Sequence, residues 1–357
     1  MSTRPVRVLH VIHHLQPGGM EYGLIKLVNA LGPDIESVIC STTTANPAMK
    51  AMLSGNVRVI ELARRSGNDP RLVWELFRVF RRERPDIVHT HAWGTLVEGY
   101  VAARLARVPY VIHGEHGTLQ TSPRQIRMQR WVWQRVDRLL SVSSRLAERM
   151  ATTMRLPVER IAVVRNGVDL ARFGRTPRAD ARRAFHADDG TVIIGHAGRL
   201  VDVKDQAALV AAAGLLAARH LRFHVLIAGD GPNRTALQAQ IDAHGVRDYV
   251  TLLGHRADVE PLYAALDVYV LCSRSEGMPN TILEAMASGV PVVSTRVGGA
   301  DELVVDGETG RLVPAAQPER LAEALAELIA SPERRRRMGA AGRVRAEERR
   351  RRRLRGG

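Results

Sequence analysis

Short apolar, β-branched runs alternate with longer amphipathic stretches along the chain. VRVLHVI precedes MEYGLIKLVNAL, DIVHTH precedes GTLVEGYVAARLA, and LLSVS precedes SRLAERMATTM. Strand, helix, strand is the rhythm of a parallel sheet covered on both faces. The rhythm lapses in RNGVDLARFGRTPRADARRAF, where the turn signal Asn166–Gly167 opens a stretch with little apolar periodicity. It restarts with TVIIGHAG, FHVLIAGD, YVTLLG, LDVYVLCS and VPVVST. No fixed short period recurs, which excludes a solenoid, and 357 residues exceed one comfortable core. The reading is α/β: two doubly wound, Rossmann-like domains facing a central cleft, residues 1–165 and 191–330, with a linker at 166–190 and an arginine-rich tail at 331–357. Ligands of open parallel sheets sit beyond the carboxyl ends of the strands, so functional residues belong in the loops that follow them.

Charge and cysteine content narrow the class. The formal charge of +15 is unevenly spread: 24 Lys and Arg face 13 Asp and Glu in residues 1–165, 16 face 21 in 166–330, and 12 face 3 in 331–357. The basic first half suits an acidic surface or substrate, whereas scattered arginines more commonly form a solvated face. Twelve arginines in the last 27 residues suggest a nucleic-acid binder, but no aromatic stacking residues are interleaved and the neighbouring domain is net acidic. Cys40 and Cys272 each sit in an apolar run and read as buried thiols of a reducing compartment. VRVLHVI is too short for a membrane span and lacks a cleavage site, so the expectation is a cytoplasmic protein. RLVWELFRVFRRERP and RQIRMQRWVWQRVDR combine arginines with Trp74, Phe77, Trp131 and Trp133, as an interfacial helix on an anionic membrane does, or as ordinary core aromatics do.

Five loops gather groups able to hold an oxygen-rich ligand. After the first strand, Gly18 and Gly19 stand at a helix mouth, where backbone N–H groups can approach an anion closely; a plain tight turn explains them equally well. Their spacing is not G-x-G-x-x-G, which argues against a redox dinucleotide. HGEHG places His113 and His116 about an acid, with no third ligand at metal-binding spacing nearby, so no metal site is assigned. GHAGRLVDVKDQ puts Arg199 and Lys204 on either side of a loop, suited to a diphosphate. LIAGDGPNRTAL supplies another strand-to-helix turn. In SRSEGMPNTILEAMASGVPVV, Pro279 and Gly289 bracket a helix from about Pro279 to Ser288. Glu276 stands one loop ahead of it and Glu284 just over one turn inside, while backbone N–H groups near Gly277 and Met278 face the same space. Acid, anion site and acid in succession match a nucleotide sugar, which has hydroxyls at both ends and phosphates between.

With these residues in view, the chain resembles glycosyltransferase family 4, or group 1, of the GT-B fold. PGGMEYG, PDIVHTH, HGEHG, RNGVD, GRLVDVKDQ, AGDGP, SEGMPNTILEAMASGVPVVST and DGETGRLVP fall in the family's order over nearly the whole chain. The glutamate pair with seven residues between is the most specific mark. HVIHHLQPGGMEYG, VIHGEHG and RNGVDLARF are similar to sugar transferases of bacterial exopolysaccharide and PEP-CTERM (exosortase) gene clusters. The resemblance implies a metal-independent, retaining hexosyltransferase without a cofactor, taking a UDP- or GDP-sugar and a lipid-linked or saccharide acceptor at the inner face of the plasma membrane. It implies that Glu284 binds the donor ribose, Glu276 the hydroxyls of the transferred sugar, and Arg199 and Lys204 the diphosphate. Gly18 and Gly19 would close over the phosphates and His116 would face the reacting sugar. Two departures stand out: Asp205 replaces a common glycine, and the tail takes the place of a crossover helix, as in a truncated or altered version. The rival within this fold is a nucleotide-sugar epimerase; from another class, a basic nucleic-acid-binding protein.

Overall fold

A computed structural model of the chain describes residues 4–64, 71–117, 119–186, 188 and 190–355, with side chains to residue 349. Residues 187 and 189 of the expected linker and 356–357 of the tail lie outside it. Two compact units result, residues 1–166 and 167–357.

Unit 1 is a parallel sheet of seven strands, β1 (Val6–Ile12), β2 (Ile35–Ser41), β3 (Arg58–Glu61), β4 (Ile87–His91), β5 (Tyr110–Glu115), β6 (Arg138–Ser141) and β7 (Ile161–Val163), in the order β3-β2-β1-β4-β5-β6-β7. Parallel strands need crossover connections, and the amphipathic stretches supply them as helices. The helix Gly19–Ala30 buries Leu24, Ile25 and Val28 against Ile12 and Ile39. Each such side chain contributes roughly 1.5–3 kcal/mol of burial.

Unit 2 repeats the plan with β8 (Val192–Ala197), β9 (Phe223–Ala228), β10 (Val250–Gly254), β11 (Val268–Leu271), β12 (Val292–Thr295) and β13 (Gly310–Val313), in the order β10-β9-β8-β11-β12-β13. β8 and β11 are buried along their whole length, as strands covered on both faces must be. The helices Gln206–Ala217 and Pro318–Ala330 place Leu209, Leu216, Leu325 and Leu328 in the core over Val225, Ile227 and Val270. Within residues 166–190, the helix Arg178–Ala184 forms and Phe173 is buried edge-on against Tyr263, 5.5 Å between ring centres. The tail folds as the helix Pro332–Arg355, which buries Met338 and Ala346.

In each unit the first strand is central and the strand order turns back beside it, between β1 and β4 and between β8 and β11. At such a reversal the loops leave to opposite sides and open a crevice at the carboxyl ends.

Candidate active site

The crevice of unit 2 is formed by the loops that follow β8 and β11, and several bonds stitch these loops together. Arg274 N–H donates to the Val203 carbonyl at 2.8 Å, and the Cys272 thiol donates to the Lys204 carbonyl at 3.2 Å. The Arg274 guanidinium donates to both oxygens of Asp205, at 2.8 and 3.2 Å. Asp205 itself is left-handed, φ 48° and ψ 43°, a conformation that glycine adopts freely and Asp tolerates better than most residues. An aspartate at this position is therefore accommodated by the backbone and held by a fork of charge-assisted hydrogen bonds.

This stitching brings Lys204 Nζ to 2.6 Å from Glu276 Oε1. The same oxygen accepts from Ser273 Oγ at 2.6 Å. Among the described residues nothing is bonded to Glu276 Oε2, which is left to accept from a ligand hydroxyl, and two of the three Lys204 protons remain for an anion. Thr295 Oγ1 donates to the Ser273 carbonyl at 2.7 Å, and Gly299 N–H donates to the Gly277 carbonyl at 2.7 Å. Gly298 has φ +52°, and a side chain there would run into the Glu276 carbonyl. The loop after β12 thus clamps the backbone that carries Glu276. Gly277 and Met278 are both buried beneath it.

The helix Asn280–Ala287 follows, with Pro279 as its first flanking residue and Gly289 at φ +70° after its end. Its length falls within the span expected from Pro279 and Gly289. Glu284 Oε2 accepts from the Tyr263 hydroxyl at 3.0 Å. Burial, and then the Glu284 charge, push the Tyr263 phenol well above its ordinary range, so it stays a donor. Tyr269 is pushed up first by burial and also by both Glu284 and Glu276, which places the two carboxylates in one neighbourhood. Arg172, ion-paired with Glu260, is raised in part by Glu284 as well.

Arg199 is not drawn into the Lys204–Glu276 pair. It lies two residues beyond the end of β8 with an exposed side chain, and its backbone is fixed from behind. There His196 Nδ1 donates to the Val270 carbonyl at 3.0 Å, while the Gln206 amide donates to His196 Nε2 at 3.2 Å and to the Arg199 carbonyl at 2.8 Å. Burial pushes His196 down to about 4, so the imidazole is neutral and its tautomer is set by these partners.

In unit 1 Gly18 is extended (φ −170°, ψ 157°) and caps the helix Gly19–Ala30. The carboxylate of Glu21, third in that helix, fills the space a side chain at Gly18 would need, and His14 Nδ1 lies 3.1 Å from it. This is the reach of an N3 glutamate back to its own cap. His113 and His116 part company: His113 is fully buried, 2.9 Å from Thr90 Oγ1, and is a core residue. His116 follows the end of β5, its N–H and that of Gly117 donating to buried Glu115 at 2.9 and 3.1 Å. Its Nε2 lies 3.2 Å from His91 Nδ1. Sequence reasoning missed Ser273, Tyr263, Gly298 and His91. Only the polar loop setting of Ser273 and the Gly298–Gly299 pair gave any signal, because contacts between strand ends leave no trace in sequence spacing.

Comparison with known proteins gives the family and the fold. The profile described as Glycosyl transferases group 1 matches residues 177–345, and that of Glycosyltransferase Family 4 matches residues 17–172. A D-inositol 3-phosphate glycosyltransferase of Pseudarthrobacter chlorophenolicus is 30% identical over 363 residues, covering 92% of this chain and 86% of that protein. An Escherichia coli UDP-Gal:alpha-D-GlcNAc-diphosphoundecaprenol alpha-1,3-galactosyltransferase is 30% identical over 258 residues, covering 69% and 66%. Anabaena HepE, solved in complex with UDP and glucose, superposes with a TM-score of 0.85 at 23% identity, covering 96% of this chain and 95% of that one. The chain belongs to the group 1 glycosyltransferases of family 4, GT-B enzymes that transfer sugars from nucleotide-sugar donors.

Proposed function

We propose that the protein is a retaining hexosyltransferase that moves a sugar from a UDP- or GDP-sugar to a lipid-linked or saccharide acceptor in cell-surface or exopolysaccharide synthesis. The observation that carries this reading is the meeting of Lys204, Ser273 and Glu276 at the β8/β11 reversal, with Glu284 inside the next helix. Glu284 takes the ribose hydroxyls and is restrained from below by Tyr263. Lys204 and Arg199 receive the diphosphate, and Glu276 Oε2 accepts from the transferred sugar. The N–H groups about Gly277 and Met278 add to the anion site. Within unit 1, the Gly18–Gly19 helix mouth suits a phosphate and His116 a sugar.

Charge grows on the departing diphosphate as the glycosidic bond breaks, and fixed cations and amide dipoles stabilise it without a metal ion. The leaving phosphate oxygen accepts the acceptor's proton on the face it vacates, so configuration is retained and no side-chain nucleophile is required. The acceptor-side reading draws on the lipid diphosphate named for the E. coli relative. It also draws on exposed Trp74 and Trp131, each beneath an arginine (Arg78 and Arg135), which suit peripheral contact with an anionic membrane.

The test is an assay of a nucleotide-sugar panel with and without polyprenyl-linked or free glycan acceptors, read by mass spectrometry and by NMR of the anomeric centre. Transfer that needs acceptor and keeps the donor's configuration is the expected result. Conversion of donor alone identifies an epimerase instead, and an inverted product overturns the retaining mechanism.

A further inference from the structure

We propose that His10, His89 and His91 form a binding site for a divalent transition-metal ion of the zinc and cobalt kind, at the carboxyl end of the unit 1 sheet. The inference stands whether or not the glycosyl-transfer reading holds, because it rests on unit 1 alone.

The sheet builds the cluster. His10 of β1 is the register partner of His89 of β4, so the two side chains leave the same face of the sheet. His91 lies two residues further along β4 and therefore on that face too. One nitrogen from each ring lies within 4.8 Å of the others. His89 and His91 stand 4.0 Å apart by ring centre, and His10 lies 5.3 and 5.5 Å from them. His10 Nδ1 and His91 Nε2 are 3.2 Å apart. Two imidazole nitrogens bound at about 2.0–2.1 Å to one tetrahedral ion stand roughly 3.3 Å apart, so this pair already has a chelating separation. The neighbourhood of His113 and His116 supplies no third ligand in sequence; adjacent strands supply three in space.

Hydrogen bonding alone does not account for the arrangement. A chain from His10 through His91 to His116 uses the two 3.2 Å contacts, yet leaves His89 Nε2 buried without a partner. Buried polar nitrogens are rarely left so. Space is kept open beside them: Gly114 is the register partner of His91, and a Cβ on it would come 3.0 Å from His89 Nε2 and 3.7 Å from His91 Nδ1.

The donor set selects the ion. Three imidazoles without a carboxylate favour zinc, cobalt, nickel or copper over magnesium or calcium, and three protein ligands leave a fourth position for water. His91 Nδ1 faces His116 Nε2, so an ion on the other side of His91 would fix its tautomer and orient the His116 ring from behind.

The test uses the full chain, stripped with a chelator and titrated with Co²⁺, Zn²⁺ and Mg²⁺. Expected are one saturable Co²⁺ per chain with the intense visible bands of a tetrahedral site, displacement by Zn²⁺, and no response to Mg²⁺. His89→Ala and His10→Gln should each weaken Co²⁺ at least about tenfold, while His255→Ala, at an exposed histidine of unit 2, leaves it unchanged. Affinity unchanged in both cluster variants, or only the weak bands of an octahedral surface site in the wild type, overturns the proposal. If either variant fails to fold, the wild-type spectrum decides by itself.

Discussion

At Glu276 one carboxylate oxygen serves two protein donors, Lys204 and Ser273, and the other faces none among the described residues. The acid is therefore oriented before any ligand arrives. Lys204→Ala removes both a cation and the partner of a half-buried carboxylate, and Glu284→Ala removes an acceptor already aligned by Tyr263. Charge-assisted hydrogen bonds of this kind contribute about 1.5–3 kcal/mol, so each variant should lose roughly one to two decades in donor affinity by calorimetry. Donor binding unchanged in Glu284→Ala would remove that residue from the site. Glu276 stood out in the sequence as a carboxylate in a Gly- and Pro-punctuated loop after an apolar run, and Glu284 as one inside the helix that Pro279 and Gly289 bracket. Tyr263 did not: its ring is core, and only its hydroxyl reaches Glu284. His10, His89 and His91 likewise looked like strand residues, since their meeting depends on the β1/β4 register.

Most strands were readable as short apolar runs, and the Pro279 and Gly289 boundaries act through local backbone geometry, but β2, β3, β7 and β13 did not stand out. What also escaped is how one loop holds another, as Asp205 does through Arg274. β8 also carries a buried imidazole whose cost appears on acidification. His196 sits near 4 in the folded chain against about 6.5 when exposed. Between those values the unfolded chain binds a proton that the folded chain refuses, so stability rises with pH there and is fully present above about 6.5. The loss on lowering pH from 6.5 to 4 amounts to about 3 kcal/mol from this group. Urea midpoints across that range should fall less steeply for His196→Asn than for the wild type. Equal slopes would place the acid sensitivity elsewhere.

Across the whole molecule, charge is divided by task. Basic residues dominate the first 165 positions, and α-helical Trp74 and Trp131 lie exposed among them, whereas Trp133, similar in sequence setting, is fully buried. The amphipathic pattern alone did not separate these tryptophans. Flotation with anionic against neutral vesicles should show binding to the former only, weakened in the Trp74→Ala, Trp131→Ala double variant; equal flotation removes the membrane reading. The tail arginines have other work. Arg343 donates to the Ala287 and Phe173 carbonyls, Arg345 to those of Glu302 and Leu303, and Arg349 to Glu302. Ala287 is the last residue of the helix that carries Glu284. A side chain from the final helix thus supplies the donor that this short helix lacks at its free end, much as a nut holds the far end of a bolt. A substitution at Arg343 would therefore be felt at the seating of a carboxylate nearly sixty positions upstream.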